Sequence, residues 1–166
     1  MPSTPSHVPR LTVELAILLH TQRVAALGTL DAQGQPFVSM VPYAIALEPG
    51  VLVLHVSGLA AHTAHMERAP GVSALVMRSE VAGEPVHALP RVTLNARAEP
   101  LASGHALYAP CRAAYLQRFP DAEPMTALPD FRFVALHLQQ ARQVAGFGAA
   151  RSVDADTLRE ALRTLP

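Results

Sequence analysis

Three extended apolar runs separated by two tight turns constrain this chain more than any other feature. Arg23 to Leu30 is mostly apolar and is followed by the turn Asp31-Ala32-Gln33-Gly34. Gln35 to Leu47 is a second run, broken by Pro42; Glu48-Pro49-Gly50 turns the chain again, and Val51 to Val56 is a third. Runs of this length bounded by Gly, Pro and Asp read as strands, and their order predicts an antiparallel meander. Further on, Val72 to Met77 reads as a fourth strand. Arg91 to Glu99 is a fifth, with Val92, Leu94, Ala96 and Ala98 on one face and Thr93, Asn95, Arg97 and Glu99 on the other. Phe131 to Leu138 is a sixth, and residues 142–147 are a candidate seventh.

Helical patterns are fewer. Leu11, Leu15, Leu18 and Leu19 share a face at helical spacing over residues 10–22. Leu59 to Arg68 predicts a short helix stopped by Pro70-Gly71. Ser103 to Phe119 predicts another, with Ser103 as N-cap and Pro120 just beyond. Asp154 or Asp156 is placed to cap a last helix running to Arg163. The order does not alternate strand and helix, so the expected fold is mainly β: a six- to seven-stranded antiparallel barrel with helical insertions. Residues 1–9 are Pro/Ser-rich and expected to be disordered, leaving residues 10–166 as a single domain.

Charge and composition narrow the function. Thirteen basic and thirteen acidic residues cancel, so no nucleic-acid or membrane-surface partner is expected. The basic residues are all arginine. Without lysine there is no lysine Schiff base and no P-loop lysine, and an anion has to be held by arginine, histidine, hydroxyls or backbone N–H groups. Cys111 is the only cysteine, which excludes an internal disulfide and a thiolate metal cluster; it lies on an apolar helix face and reads as core filler. The opening MPSTPSHVPR lacks the early positive charge of a signal peptide, and Leu15 to Leu19 is too short to span a bilayer, so a cytoplasmic protein is expected.

The most informative segment is Ser57-Gly58-Leu59-Ala60-Ala61-His62-Thr63-Ala64-His65-Met66, a strand-to-helix junction. A helix N-terminus offers unpaired N–H groups, and Ser57, Thr63 and His62 add hydroxyls and an imidazole, the parts of a phosphate site made without lysine. Equally, Ser57 can simply cap the helix while the histidines face solvent. His62 and His65 lack a third metal ligand nearby, and no metal is expected. Pro36 to Tyr43 is a strand with a proline near each end, hence an edge or a bend, whose free backbone groups can meet a flat heterocycle. Arg91 opens the fifth strand, suited either to solvent or to an anion at a barrel mouth. Phe147 lies between Gly146 and Gly148, where the backbone can approach a ligand.

Taken in order, these residues resemble the pyridoxamine 5′-phosphate oxidase-like, FMN-binding split-barrel family, and within it the branch that includes haem-utilisation proteins. The matching pieces are Leu27 to Asp31, Gly34 to Tyr43, Ser57 to Thr63, Arg91 to Leu94, Phe131 and Gly146 to Ala150. The resemblance implies a homodimeric split barrel with FMN between the subunits, an oxidoreductase acting on a small-molecule substrate. It implies backbone contacts to the flavin from Ser39, Met40, Val41 and Pro42. It places the FMN phosphate by Ser57, Gly58, His62 and Thr63, puts Arg91 beside the flavin, and brings Phe147 to the ring, from either subunit. Alternatives in the same frame are a haem-binding or haem-degrading protein and a non-catalytic flavin-binding module. Three departures stand out. His65 replaces an asparagine common in the family, Asn95-Ala96 replaces a glycine, and the Arg-x-His pair of true pyridoxamine 5′-phosphate oxidases is missing. Efficient oxidation of that substrate is therefore not expected, nor is the further C-terminal domain often carried by the haem branch.

Overall fold

A computed structural model describes residues 8–164. Of the stretch expected to be disordered, residues 1–7 lie outside the described part, while Pro9 is the N-cap of the first helix. The elements are α1 (Arg10–Thr21), β1 (Val24–Leu30), β2 (Pro36–Pro42), β3 (Ala44–Ala46), β4 (Val51–Ser57), α2 (Ala61–Arg68), β5 (Gly71–Met77), β6 (Arg91–Leu101), α3 (Tyr108–Arg118), β7 (Phe131–Val144), β8 (Ala150–Asp154) and α4 (Ala155–Arg163). Short 3₁₀ turns cover Val86–Ala88 and Pro120–Ala127.

One antiparallel sheet holds all eight strands, in the order β2-β1-β5-β6-β7-β4-β3, with β8 on the free side of β7. Its two end strands, β2 and β3, are separated in sequence by Tyr43 alone. Three consecutive Cα atoms span at most about 7 Å, so the sheet must curl until its ends meet. This closure makes the barrel. It also corrects the expected meander: β1 pairs with β2 and β3 with β4, but β2 and β3 part company at Pro42-Tyr43 and sit at opposite ends of the sheet.

The strand count exceeds the expected six or seven for related reasons. The 35–47 run splits at Tyr43. The expected sixth strand and much of the seventh are one 14-residue strand, β7, whose pairing with β6 shifts register between Asn95 and Ala96. Such a bulge bends the long strands, as a closed barrel requires. β8 was not foreseen. α3 starts at Tyr108 rather than Ser103, and Leu107 occupies its N-cap. Pro110 explains this: its ring would clash with the carbonyl four residues back in a longer helix, but it is tolerated within the first turn.

Two cores flank the sheet. The barrel interior buries Leu27, Val41, Leu52, Leu54, Val92 and Leu94 together with Leu15 and Leu19 of α1 and Leu158 and Leu162 of α4. A second core lies between β3, β4, β7 and α3, with Val51, Val53, Phe133, Cys111 and Tyr115. β4 is buried on both faces, which is why its sequence runs Val-Leu-Val-Leu without alternation. β6 has one face inward and shows the alternation expected of it. Asp154 caps α4 by accepting the Thr157 N–H at 2.8 Å.

Tyr43 stands at the closure. It is fully buried, its hydroxyl donates to the Leu19 carbonyl at the end of α1 at 2.8 Å, and the Arg118 guanidinium lies 5.6 Å from its ring centre. Burial pushes its phenol well above the ordinary tyrosine pKa. Tyr43→Phe is expected to cost about 1 kcal/mol, the net worth of one hydrogen bond, and Tyr43→Ala about 3–5 kcal/mol through the cavity it leaves. Urea unfolding measures both; an alanine variant as stable as the phenylalanine one would show that Tyr43 does not hold the closure.

Candidate functional site

β2 is a blunted edge strand. Tyr43 donates to Arg23 and Asp31 to Gln35, so odd-numbered residues of this run turn their backbone groups toward β1. Even-numbered residues point outward, and two of them, Pro36 and Pro42, have no N–H. The outward N–H groups of the strand are therefore those of Val38 and Met40, whose side chains are each 66% exposed. Of the four β2 residues singled out, Met40 and Pro42 face the open edge. Val41 is turned into the core and is 2% exposed, and Ser39 reaches by its hydroxyl to His62 Nδ1 at 3.0 Å.

That bond ties the β2 edge to the start of α2, where the structure gathers Ser57, Gly58, His62 and Thr63. The helix begins at N-cap Ala60 with no side-chain cap. Ser57 does not cap it: its Oγ accepts the Leu59 N–H at 3.1 Å and donates to Asp130 Oδ2 at 2.9 Å. Thr63, 2% exposed, donates its hydroxyl proton to the Ser57 carbonyl at 2.6 Å. Both hydroxyl protons are thus committed inside the chain. What remains for an anion is the N–H pair of Ala61 and His62 and the His62 ring. A Cβ on Gly58 would lie 2.7 Å from Arg132 Nη2 and 3.0 Å from the Asp130 carbonyl, so only glycine lets the turn pass beneath that arginine. Arg132 is itself paired with Glu67.

His65 is not on the solvent side, contrary to the simplest sequence reading. It is 9% exposed, hydrogen-bonded to Thr29 Oγ1 at 2.9 Å, and edge-on to Phe37 at 5.3 Å between ring centres. Its burial follows from α2 lying against β1 and β2. Asp130, Arg132 and Glu67 escaped sequence reasoning because nothing local marks them; Asp130 reaches Ser57 across 73 positions. The same holds for Glu99, which accepts from His137 Nε2 at 2.7 Å and faces His105 Nε2 at 3.4 Å. His105 Nδ1 accepts the Leu107 N–H, which turns Nε2 toward Glu99. Among the described residues no group of three or more His, Cys, Asp or Glu side chains is arranged to hold a metal ion. Cys111 is fully buried, and burial together with nearby Glu99 pushes its thiol to about 11, so it supplies no thiolate.

Arg91 and Phe147 lie at the other end of β7, where Arg91 pairs with Val144, whereas Ser57 pairs with Phe131. Arg91 nevertheless shares a surface with the β2 edge. Continuing the printed registers, Pro42, Val24, Met77 and Arg91 form one row across four neighbouring strands. Three inter-strand steps place its ends about 14 Å apart. This outer face is apolar: Val24 is 48% exposed and Met77 41%, beside Val38 and Met40. Arg91 Nη1 donates to the Leu89 carbonyl at 3.0 Å, which folds the guanidinium back over the 87–89 turn. Phe147, 89% exposed, stands between Gly146 and Gly148, whose φ values of 154° and 75° few other residues adopt.

An eight-stranded antiparallel sheet curled on itself, with helices closing its ends, is a split barrel. The chain belongs to the pyridoxamine 5′-phosphate oxidase family, whose profile matches residues 11–145. It is 31% identical over 150 residues, 90% of this chain and 84% of the relative, to haem oxygenase HutZ of Vibrio cholerae. It superposes with a TM-score of 0.81 on a haem-binding protein from Mycobacterium smegmatis, at 28% identity over 92% of this chain, and spans 61% of that protein's length. A putative pyridoxamine 5′-phosphate oxidase from Listeria innocua gives a TM-score of 0.62 at 14% identity, over 82% of this chain and 100% of its own, a likeness of fold alone. No helix among the described residues is long and apolar enough to cross a membrane.

Burial holds two imidazoles, His55 and His62, below the ordinary histidine pKa, His62 with a smaller push from His65. The unfolded chain then binds more protons than the fold below about pH 6.5, so stability falls as pH drops through that range. The double variant His55→Asn/His62→Asn is expected to flatten this fall. Urea midpoints measured from about pH 7 to 5.5 check it, and an unchanged slope would discard the assignment.

Proposed function

We propose that this protein is a haem-binding member of the haem-utilisation branch of its family, acting as a homodimer whose second copy covers the outer β2-β1-β5 face. The observation that carries the reading is that face itself. It is exposed and apolar, built from Val24, Val38, Met40 and Met77, and it has a guanidinium at its far edge, Arg91. A haem is a planar apolar ring with two carboxylates, and this donor set fits it. The similarity to two proteins described as a haem oxygenase and a haem-binding protein supports the same ligand. When bound, the haem supplies iron and redox chemistry, while the chain's own residues bind, orient and shield the ring. Covering by a second copy follows from the exposure of Val38 and Met40, since contiguous apolar patches on monomers rarely exceed a few hundred Å².

FMN is the second reading, and one observation favours it: the free N–H groups of Ala61 and His62 at the start of α2 suit a phosphate. Against it, the Ser57 and Thr63 hydroxyls have given their protons to Asp130 and to the Ser57 carbonyl.

Titration of the purified protein with haemin and, separately, with FMN decides between them. The expected result is a Soret band that saturates at one haem per chain and weak or no quenching of FMN fluorescence. Tight FMN binding without a Soret shift would reverse the assignment. Met40→Asp, which puts a charge on the covered face, is expected to yield a monomer by light scattering and to weaken haem binding; a dimer with full affinity would refute the covered-face arrangement.

A further inference from the structure

We infer that the outer face of β6, β7 and β8 carries a carboxylate site centred on the Arg142 guanidinium, a site that does not depend on which macrocycle the protein binds. On that face Arg142 stands opposite Thr93 of β6 and Ser152 of β8, and Gln140 stands opposite Asn95 and Asp154. These two rows line a hollow of about 550 Å³. Neighbouring strands lie about 4.8 Å apart, so the three strands span roughly 10 Å. The six side chains are exposed and polar, where the same face of β2, β1 and β5 is apolar.

Arg142 is the cation of this hollow and nothing in it neutralises the charge. Its Nη1 donates to Ser152 Oγ at 3.5 Å, too long to hold it firmly. Asp154 forms no ion pair with it among the described residues; its carboxylate is turned to α4, where it accepts the Thr157 N–H at 2.8 Å. The Asn95 and Gln140 amides and the Thr93 hydroxyl have no hydrogen-bond partner among the described residues. The register shift at Asn95/Ala96 leaves Gln139 unpaired between Leu138 and Gln140, which adds a third amide to the rim. Arg97, two positions beyond Asn95, makes the contrast: its hollow also contains Glu67 and Glu99, so it has carboxylates at hand.

These groups select a carboxylate over a phosphate. A planar guanidinium fork matches a planar carboxylate, and one guanidinium balances one negative charge. A phosphate dianion would bring a second charge up against Asp154. The amides and hydroxyls supply donors and acceptors for a hydroxyl or carbonyl beside the carboxylate. Two sources can deliver it. The rows continue without a break from Thr93 through Leu75 and Ala26 to Met40, and from Asn95 through Ser73 and Gly28 to Val38. An acid side arm of a ring lying on the apolar half therefore reaches Arg142 two strands beyond β5. A free small hydroxy acid reaches it directly.

The test uses the full chain and Arg142→Gln, an exposed substitution expected to leave the urea midpoint unchanged. In the first arm, sodium lactate is titrated against sodium chloride at matched ionic strength and followed by NMR. Saturable shifts of the Arg142 Nε–H and of the Asn95 and Gln140 amides, weakened about tenfold or more in the amide shifts of Arg142→Gln, establish the site with a free acid as its ligand. In the second arm, haemin is compared with its dimethyl ester. A preference of wild type for the diacid that narrows about tenfold in Arg142→Gln establishes the site with the macrocycle's own carboxylate as its ligand. Lactate shifts unchanged by Arg142→Gln, or no response to that substitution in either arm, would overturn the proposal. Failure of wild type to bind haemin would overturn the haem reading alone, and the lactate arm would still decide the carboxylate site.

Discussion

Everything in this fold depends on two sheet ends being joined by one residue. β2 and β3 flank Tyr43, so the sheet must close, and closing it dictates the rest. β6 and β7 have to be long and bent, and the register shift at Asn95/Ala96 supplies the bend. α1 and α4 have to plug the barrel, and the Tyr43 hydroxyl on the Leu19 carbonyl connects that plug to the seam. β2 is left with one free edge, which Pro36 and Pro42 blunt by removing outward N–H groups at two of its four outward positions. A strand treated this way does not invite another strand, and it leaves Val38 and Met40 to meet something else.

The turn before α2 illustrates how a ligand site and a structural junction can be built from the same residues. A serine, a glycine and a threonine around a helix start look like anion donors because their protons are free to point outward. Here those protons point inward. Asp130 takes one, and the Ser57 carbonyl takes the other. The cost of leaving a buried polar group unpaired, about 1–3 kcal/mol each, weighs against turning them back out for a ligand. The junction therefore locks β4, α2 and the start of β7 together.

Much of this was legible in the sequence wherever periodicity reports burial directly. α1, β1, β4, α2, β5, β6 and the Asp154 cap follow from local spacing, because each buries one face or both along its own length. The misreadings come from forces that spacing does not carry. Pro42 signalled a break but not that the chain would cross from one end of the sheet to the other. Pro110 limited α3 by a steric clash that overrode a good capping residue at Ser103. The length of β7 is set by different partners, β4 over Phe131 to Leu136 and β6 from Phe133 to Val144, and neither is visible from Phe131 onward. In the site, the local turn Ser57–Thr63 was found, but its wiring was not, because Asp130, Arg132 and Ser39 arrive from distant strands.

The lack of lysine ties these threads together. An ammonium on a flexible stem can follow a phosphate wherever it sits, whereas a guanidinium works best when its plane is fixed by neighbours. The arginines near the two candidate places differ in this respect. Arg132 is spent on Glu67 and covers Gly58, so the α2 junction has no cation to spare beyond the His62 imidazole, which burial keeps neutral. Arg91 is braced by the carbonyls of Leu89 and His87 and has no carboxylate partner among the described residues. Charge that is positioned and uncompensated is what a ligand anion seeks. In this chain such a charge, Arg91, borders an apolar face, whereas the arginine nearest the helix start is already paired.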